Sequence, residues 1–315
     1  MNKEDLKIVF LGTPEFAVAS LDRIIADGYN VVGVVTAPDK PAGRGHKLLQ
    51  SAVKQYAVDH GLHLMQPEKL RAPEFIDELR ALDADLFVVI AFRMLPEVVW
   101  SMPRLGTFNL HASLLPRYRG AAPINWAVIN GDKETGVTTF MLSHEIDTGD
   151  VLQQVRIPIG DDENVGSVHD RLMALGAEVT ADTISHLVAG DLTPMPQDQL
   201  IGESGGVTQA PKIFKDTCHI DWNRPAEVVR NFVRGLSPYP AAWTELTLGQ
   251  GGQPVNMKVF DVHHDPLKQE ADPGTPLVDG NRLLVRCADG WLALGDIQPA
   301  GKKRMPADAF LRGLK

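Results

Sequence analysis

Cysteine is scarce in this 315-residue chain: Cys218 and Cys287 are the only two, and they lack the spacing of a metal site. That scarcity excludes a disulfide-built scaffold and fits a reduced, cytoplasmic compartment. Nothing requires the two to bridge. Apolar runs are short as well. None approaches the roughly 20 residues that cross a bilayer. The opening Met1-Asn2-Lys3-Glu4-Asp5 lacks the basic-then-apolar order of a secretory leader, so neither a membrane span nor export is expected. A third absence bears on chemistry. The first apolar run leads into Gly12-Thr13-Pro14-Glu15-Phe16-Ala17, where Pro14 replaces the second glycine of a dinucleotide-binding G-x-G-x-x-G. Proline there hinders close approach to a pyrophosphate, so a plain strand-to-helix turn is expected and redox chemistry is disfavoured.

A surplus of basic charge is missing too. The formal net charge is −9, which argues against indiscriminate nucleic-acid binding, because neutralising phosphates takes a local excess of Lys and Arg. The deficit is uneven. Residues 1–208 hold seventeen Lys or Arg against twenty-eight Asp or Glu, whereas residues 209–315 hold fourteen against twelve. A mildly basic C-terminal part on an acidic body permits a local polyanion contact without demanding one. What is present is ordinary for a globular chain: 44% apolar and 23% charged residues, with length enough for two cores.

Residues 1–190 alternate apolar strands with helical patterns. Strands are predicted at Lys7–Leu11, Val31–Thr36, Leu86–Ala91, Thr107–Leu110 and Val137–Leu142. Helices are predicted at Pro14–Asp27, Ser51–His60, Pro73–Leu82, from Pro123, and across the long amphipathic stretch Val165–Ala189. Such alternation implies an α/β domain with a mostly parallel sheet covered on both faces. Ligands of such sheets sit at the carboxyl ends of strands. Residues 191–211, rich in Pro, Gly, Gln and Ser, read as a linker. The remainder, 212–315, opens with a helix at Pro225–Leu236. Short β-type runs follow at Trp243–Leu248, Met257–Val262, Arg282–Cys287 and Trp291–Ile297, a pattern that suggests a small barrel.

Chemistry concentrates in Phe108-Asn109-Leu110-His111-Ala112-Ser113-Leu114-Leu115-Pro116 and the basic, glycine-containing loop behind it, Arg117 to Pro123. Period two puts Asn109 and His111 on one side of a strand end. There an amide can bind a developing oxyanion while an imidazole handles a proton. Asp147, in Ile146-Asp147-Thr148-Gly149-Asp150, offers a carboxylate about thirty residues on. Taken singly, Asn109 could cap a turn and His111 could be a satisfied core histidine; together with Asp147 they favour a site for acyl transfer without a covalent enzyme intermediate. A metal formed by His111, His144 and Asp147 is the alternative, supported by no H-x-x-x-H or C-x-x-C. Asp39 to Lys47 forms a second candidate. Glycines flanking Arg44 let its guanidinium reach phosphate or a base edge, although a solvated loop is the usual fate of such a segment.

These residues carry a resemblance. Asn109 to Pro116, with Tyr118-Arg119-Gly120-Ala121-Ala122-Pro123, is similar to the formyl-transfer core of the folate-dependent formyltransferases, and Asp147 to Asp150 to its acidic partner segment. Pro38 to Gly45 resembles the tRNA-contacting loop of the methionyl-tRNA formyltransferase family, and Tyr239-Pro240-Ala241-Ala242-Trp243 resembles a motif of its C-terminal domain. The resemblance covers nearly the whole chain. Two departures stand out: Ala112 where many members have Gly, and Ala91-Phe92-Arg93-Met94-Leu95-Pro96 in place of a more usual Ala-Tyr-Gly run.

The resemblance implies a Rossmann-like catalytic domain over 1–190 and an OB-like tRNA-binding barrel over 212–315. It implies 10-formyltetrahydrofolate as donor, no metal, and the α-amine of methionine on initiator tRNA as acceptor. Asn109, His111 and Asp147 would be catalytic. Ser113, Leu114, Leu115 and Pro116, with Arg93, Met94 and Leu95, would line the folate pocket. Lys40, Arg44 and Lys47 would meet tRNA, with Lys302, Lys303 and Arg304 either joining them or forming a solvated face. A monomer is expected. Two rivals differ in kind: a formyltransferase acting on a small amine, and a catalytically silent tRNA- or folate-binding module. The extra hundred residues and the Arg44 loop speak against the first, and the intact Asn109, His111 and Asp147 against the second.

Overall fold

The computed structural model of the protein describes residues 2–42, 47–204, 206–249 and 252–314. They form two compact units interleaved in sequence. One comprises Met1–Gly120, Gly136–Arg156 and Asp170–Gln209; the other comprises Ala121–Thr135, Ile157–His169 and Ala210–Lys315.

In chain order the N-terminal elements are β1 Lys7–Gly12, α1 Glu15–Ala26, β2 Asn30–Val35, β3 Lys40–Ala42, β4 Lys47–Leu49, α2 Ala52–Asp59, β5 Leu64–Met65, α3 Pro73–Ala81, β6 Leu86–Ile90, α4 Glu97–Trp100 and β7 Thr107–His111. They continue with β8 Arg119–Gly120, α5 Pro123–Ile129, β9 Glu134–Met141, β10 Val151–Pro158 and α6 Val165–Ala189. Seven strands make one sheet in the order β10-β9-β7-β6-β1-β2-β5. The pairs from β7 through to β5 are parallel, while β9 runs antiparallel to β7. The expected α/β class with a parallel-rich sheet is therefore correct.

The reason lies in the apolar runs. All five residues of β6 are buried, as a central strand covered on both faces requires. On one face Val9, Leu11, Val35, Phe87 and Val89 pack with Phe75, Ile76 and Leu79 of α3 and with Val99 of α4. On the other, α6 approaches so closely that a Cβ on Gly176 would lie 2.7 Å from Cδ2 of Leu110. Gly12 has a similar role at the first turn. A Cβ there would meet the Ala17 Cβ at 2.7 Å, so the residue that invited a cofactor reading is a packing glycine.

Among the departures from expectation, three concern longer segments. β10 was not predicted, because Gln153 and Gln154 interrupt its apolar pattern; an edge strand tolerates them, having one side unpaired. The predicted loop 37–50 contains the hairpin β3–β4, in which Lys40 pairs with Leu49 and Ala42 with Lys47. Its base is tied by Lys54 Nζ to Asp39 Oδ2 at 2.6 Å and Gln66 Nε2 to Asp39 Oδ1 at 2.9 Å. Those contacts hold the Asp39 carboxyl below its usual range, the bond from Lys54 contributing most. Third, residues 191–211 carry ordered structure despite their lack of periodicity. Met195 exchanges two backbone bonds of 2.8 Å with Val151, a 3-10 turn follows at Gln197–Leu200, and then α7 Ile201–Ser204 and β11 Gln209–Ala210.

The second unit continues with α8 Ala226–Leu236, β12 Ala242–Thr247, β13 Pro254–Val259, β14 Val262–Asp265, β15 Pro276–Asp279, β16 Arg282–Arg286, β17 Trp291–Leu294, β18 Asp296–Pro299, β19 Met305–Pro306 and α9 Ala307–Arg312. Its strands form two four-stranded sheets, β12-β13-β18-β19 and β14-β17-β16-β15. Two predicted strands, 257–262 and 291–297, each break in the middle and so serve both sheets. The corner sits at Asp261 and Gly295. Asp261 Oδ1 accepts the Asp296 N–H at 3.0 Å, and a Cβ on Gly295 would overlap that carboxylate at 2.1 Å. Alternation of apolar residues alone does not reveal such a bend. α8 contributes Val229, Val233 and Leu236 to the core of this unit.

Also in this unit, α5 crosses α8 at Gly235, whose added Cβ would lie 2.5 Å from Ile129 Cγ1 and 2.8 Å from its backbone N. Backbone cannot yield as a side chain can. Gly235→Ala is expected to destabilise by about 1–3 kcal/mol, read as a lower urea midpoint with an unchanged slope; an unaltered midpoint would show that the crossing relaxes freely. Beside it Arg234 is buried, donating to Asn231 Oδ1 at 2.7 Å and to the Glu163 carbonyl at 2.8 Å. Desolvation pushes its guanidinium pKa down. Among the described residues no helix is long and apolar enough to cross a membrane.

Candidate active site

β7 ends at His111, and its register places the site. Asn109 lies opposite Val89 of β6 and Phe140 of β9, and His111 opposite Thr138. Asn109 thus shares the sheet face of Val89, and period two gives His111 that face at the carboxyl end of the strand. The Asn109 side-chain oxygen is buried, with no hydrogen-bond partner among the described residues. Native structures rarely leave such an acceptor unpaired unless something else satisfies it.

His111 is 7% exposed and held on two sides. Its Nε2 lies 2.8 Å from the Tyr118 carbonyl; a carbonyl only accepts, so Nε2 carries a proton there. Nδ1 faces Asp147 Oδ2 at 3.9 Å, and Phe140 meets the ring edge-on with centroids 6.5 Å apart. Of the three residues expected to gather, Asp147 approaches His111 directly, and Asn109 stands two residues before His111 on the same strand face.

Loop geometry makes that approach. Tyr118, at φ +61°, and Asp147, at φ +56°, are both left-handed, a conformation that non-glycine residues adopt at a cost of order 1 kcal/mol. Each is held by neighbours. The Tyr118 N–H donates to Thr208 Oγ1 at 2.8 Å, and the Gly120 N–H donates to Asp147 Oδ2 at 2.9 Å. Gln197 Nε2 donates to the carbonyls of Asp147 and Gly149, both at 2.9 Å. A Cβ on Gly149 would overlap the Met141 carbonyl oxygen at 1.6 Å, so the loop passes that close to β9 only with glycine.

Ser113, Leu114, Leu115 and Pro116 are all buried, and the turn they form is strapped from behind. Thr138 Oγ1 donates to the Ser113 carbonyl at 2.6 Å and accepts the Leu115 N–H at 3.2 Å. Gln154 Nε2 donates to the Leu115 carbonyl at 3.0 Å. Arg93 grips the carbonyls of Pro67 and Glu68, its Nε is buried without a partner among the described residues, and burial lowers its pKa. With Leu70, Arg71, Met94, Leu95 and Pro96 it lines a depression of about 220 Å³. Met94 is 69% exposed and Leu95 buried.

Of the proposed tRNA contacts, Lys40 is exposed on β3, Lys47 belongs to β4 by its backbone, and Arg44 lies outside the described residues. Lys302, Lys303 and Arg304 sit exposed around the β18–β19 turn. Arg304 is engaged there, pairing with Asp296 at 2.9 Å and covering the Phe260 ring at 4.3 Å. His144, the third residue of the metal alternative, stands against Trp100 and Glu97; among the described residues no group of three or more His, Cys, Asp or Glu could hold a metal ion. Sequence reasoning missed the Tyr118 carbonyl, Thr138, Gln154 and Gln197. The first is a main-chain atom; the others lie far along the chain with no local pattern to mark them.

Residues 6–184 match the family described as formyl transferase, and 212–315 the one described as formyl transferase, C-terminal domain. A methionyl-tRNA formyltransferase of Bacteroides fragilis is 58% identical over 314 residues, covering 99% of this chain and 96% of that protein. One of Parabacteroides distasonis is 56% identical over 317 residues, covering 100% and 98%. Among solved structures, HypX of Aquifex aeolicus in complex with tetrahydrofolic acid aligns with TM-score 0.63 at 18% identity, over 96% of this chain and 46% of that longer one. WlaRD, a sugar 3N-formyl transferase, aligns with TM-score 0.62 at 18% identity, over 95% and 99%. Those two likenesses concern the fold alone. Two family descriptions that together span most of the sequence, and relatives more than half identical along nearly their full length, establish that the chain belongs to the methionyl-tRNA formyltransferase family.

Proposed function

We propose that this protein transfers the formyl group of 10-formyltetrahydrofolate to the α-amine of methionine on initiator tRNA, for translation initiation. The observations that carry the assignment of residues are a buried Asn109 oxygen with no partner among the described residues and, two residues on along the same strand, a His111 whose Nδ1 faces Asp147. The neutral amine attacks the formyl carbon, and negative charge collects on the formyl oxygen. The Asn109 amide donates to that oxygen through its N–H₂, and its unpaired Oδ1 awaits a donor such as the attacking amine. His111 takes the amine proton at Nδ1, because Nε2 is engaged by Tyr118. The imidazolium so formed is stabilised by Asp147 and returns the proton to the departing folate nitrogen, through water where the span requires it. No covalent enzyme intermediate is needed.

Ser113–Pro116 and Arg93–Leu95 form the folate wall in this reading, supported by the rigid strapping of the first and the depression beside the second. Lys40, Arg44 and Lys47 contact the acceptor end of tRNA, and the C-terminal strands, closing as an OB-like barrel, hold its inner side. Support comes from the exposed Lys40 and the mildly basic composition of residues 209–315. Residues 1–190 then act as the catalytic domain, 191–211 as the connection and 212–315 as the tRNA-binding domain, in a cytoplasmic monomer. Incubation with 10-formyltetrahydrofolate and methionine-charged initiator tRNA tests the reading: mass analysis of the released aminoacyl group should show formylmethionine, and unmodified methionine alone would refute it.

The loop assignment has its own check. Arg44→Ala should raise KM for tRNA or lower kcat/KM, and Lys40→Ala should flatten the salt dependence of KM by about one phosphate contact. Slow folate hydrolysis should be spared in both. Unchanged tRNA parameters in both variants would remove the loop from the interface.

A further inference from the structure

We infer that Gln197 is a positioning residue for formyl transfer, which with Arg119 fixes the loop that presents Asp147 to His111. The inference rests on the role given to Asp147 above. Gln197 is 2% exposed, and every hydrogen-bonding site of its amide is occupied. Its two N–H bonds go to the carbonyls of Asp147 and Gly149 at 2.9 Å each. Its Oε1 accepts from Arg119 Nε at 3.1 Å and Nη2 at 2.6 Å. A guanidinium fork of this kind fixes the plane of the amide it grips.

The amide is thereby aimed, and it in turn aims the loop. Asp147 is left-handed at φ +56°, a conformation that persists only where surroundings over-determine it. Its carboxylate reaches 3.9 Å from Nδ1 and accepts the Gly120 N–H. The main chain of Asp147 has its restraint from Gln197. Gln197 is itself fixed from the far side, because Met195, two residues earlier, is zipped to Val151 by two backbone bonds at the start of β10. Arg119 in turn donates its own N–H to the Thr208 carbonyl at 3.0 Å. Three segments distant in sequence thus meet at one side chain, in a part of the chain that looks like a connector.

Gln197→Met keeps length and volume but removes all four bonds. At saturating 10-formyltetrahydrofolate and varied methionine-charged initiator tRNA, kcat per folded enzyme should fall about tenfold or more, with KM for tRNA within about twofold. A merely structural role would lower the folded fraction and leave kcat per folded enzyme intact. Because Gln197 acts through Asp147, adding Gln197→Met to Asp147→Asn should cost no more than about twofold further. Unchanged kcat in Gln197→Met beside an impaired Asp147→Asn overturns the inference and leaves the role of Asp147 standing. Additive losses in the double variant overturn it as well. Unchanged kcat in Asp147→Asn refutes the role of Asp147 and the inference with it. Should Gln197→Met fail to fold, Arg119→Lys carries the test, since it retains the charge and loses the fork. A kcat reduced several-fold and non-additive with Asp147→Asn supports the inference, and an unchanged kcat overturns it.

Discussion

Asn109→Ala is expected to lower kcat for formyl transfer by about 10²–10³-fold while KM for tRNA stays within about threefold. The size follows from removing one preorganised donor aimed at a developing oxyanion, which typically costs roughly 3–4 kcal/mol of barrier. The split between kcat and KM follows from timing. The formyl oxygen becomes anionic only as the amine adds, so the lost interaction belongs mostly to the transition state. Stability should move in the opposite sense or hardly at all, because the variant deletes a buried oxygen that has no partner among the described residues. The experiment pairs single-turnover kinetics with a denaturant curve on one preparation. A kcat near wild type would remove Asn109 from the catalytic group.

The second large effect concerns His111. His111→Ala should lower kcat by about 10²–10⁴-fold, the usual contribution of a positioned acid–base group. Here structure sharpens chemistry. The Tyr118 carbonyl fixes the proton on Nε2, so in the proposed mechanism Nδ1, on the Asp147 side, is the nitrogen that exchanges protons. Removing the ring also deletes the buried bond between Nε2 and the Tyr118 carbonyl, and a loss of about 1–3 kcal/mol in stability accompanies the change. The kinetic loss must therefore be expressed per folded enzyme. Retention of more than about a tenth of wild-type kcat would assign the proton transfer to another group. Asp147→Asn separates orientation from charge: an Asn can still accept from the Gly120 N–H, and a large loss in kcat would then come from the missing carboxylate.

Much of the fold is readable along the chain because buried parallel strands and amphipathic helices are local patterns. Leu86–Ile90 is apolar at every position, and Val165–Ala189 keeps helical spacing for 25 residues. β10 escapes that logic, since an edge strand need not be apolar on both faces. The corner at Asp261 and Gly295 escapes it too, because a strand that changes sheets keeps its alternation on both sides of the bend. The site divides in the same way. Asn109 and His111 are joined by strand period, so their common face is legible from spacing. Gln197 carries no mark, because its neighbours along the chain are not its partners in space.

Residue order alone therefore determined the class of sheet and the shared strand face of the amide and imidazole at the end of β7. Tertiary structure decided which imidazole nitrogen faces the Asp147 carboxylate, and which distant amide bonds the main chain beside it. Periodicity is a property of consecutive residues. A tautomer and a loop conformation depend on bonds from carbonyls and side chains brought in by the folding of remote segments.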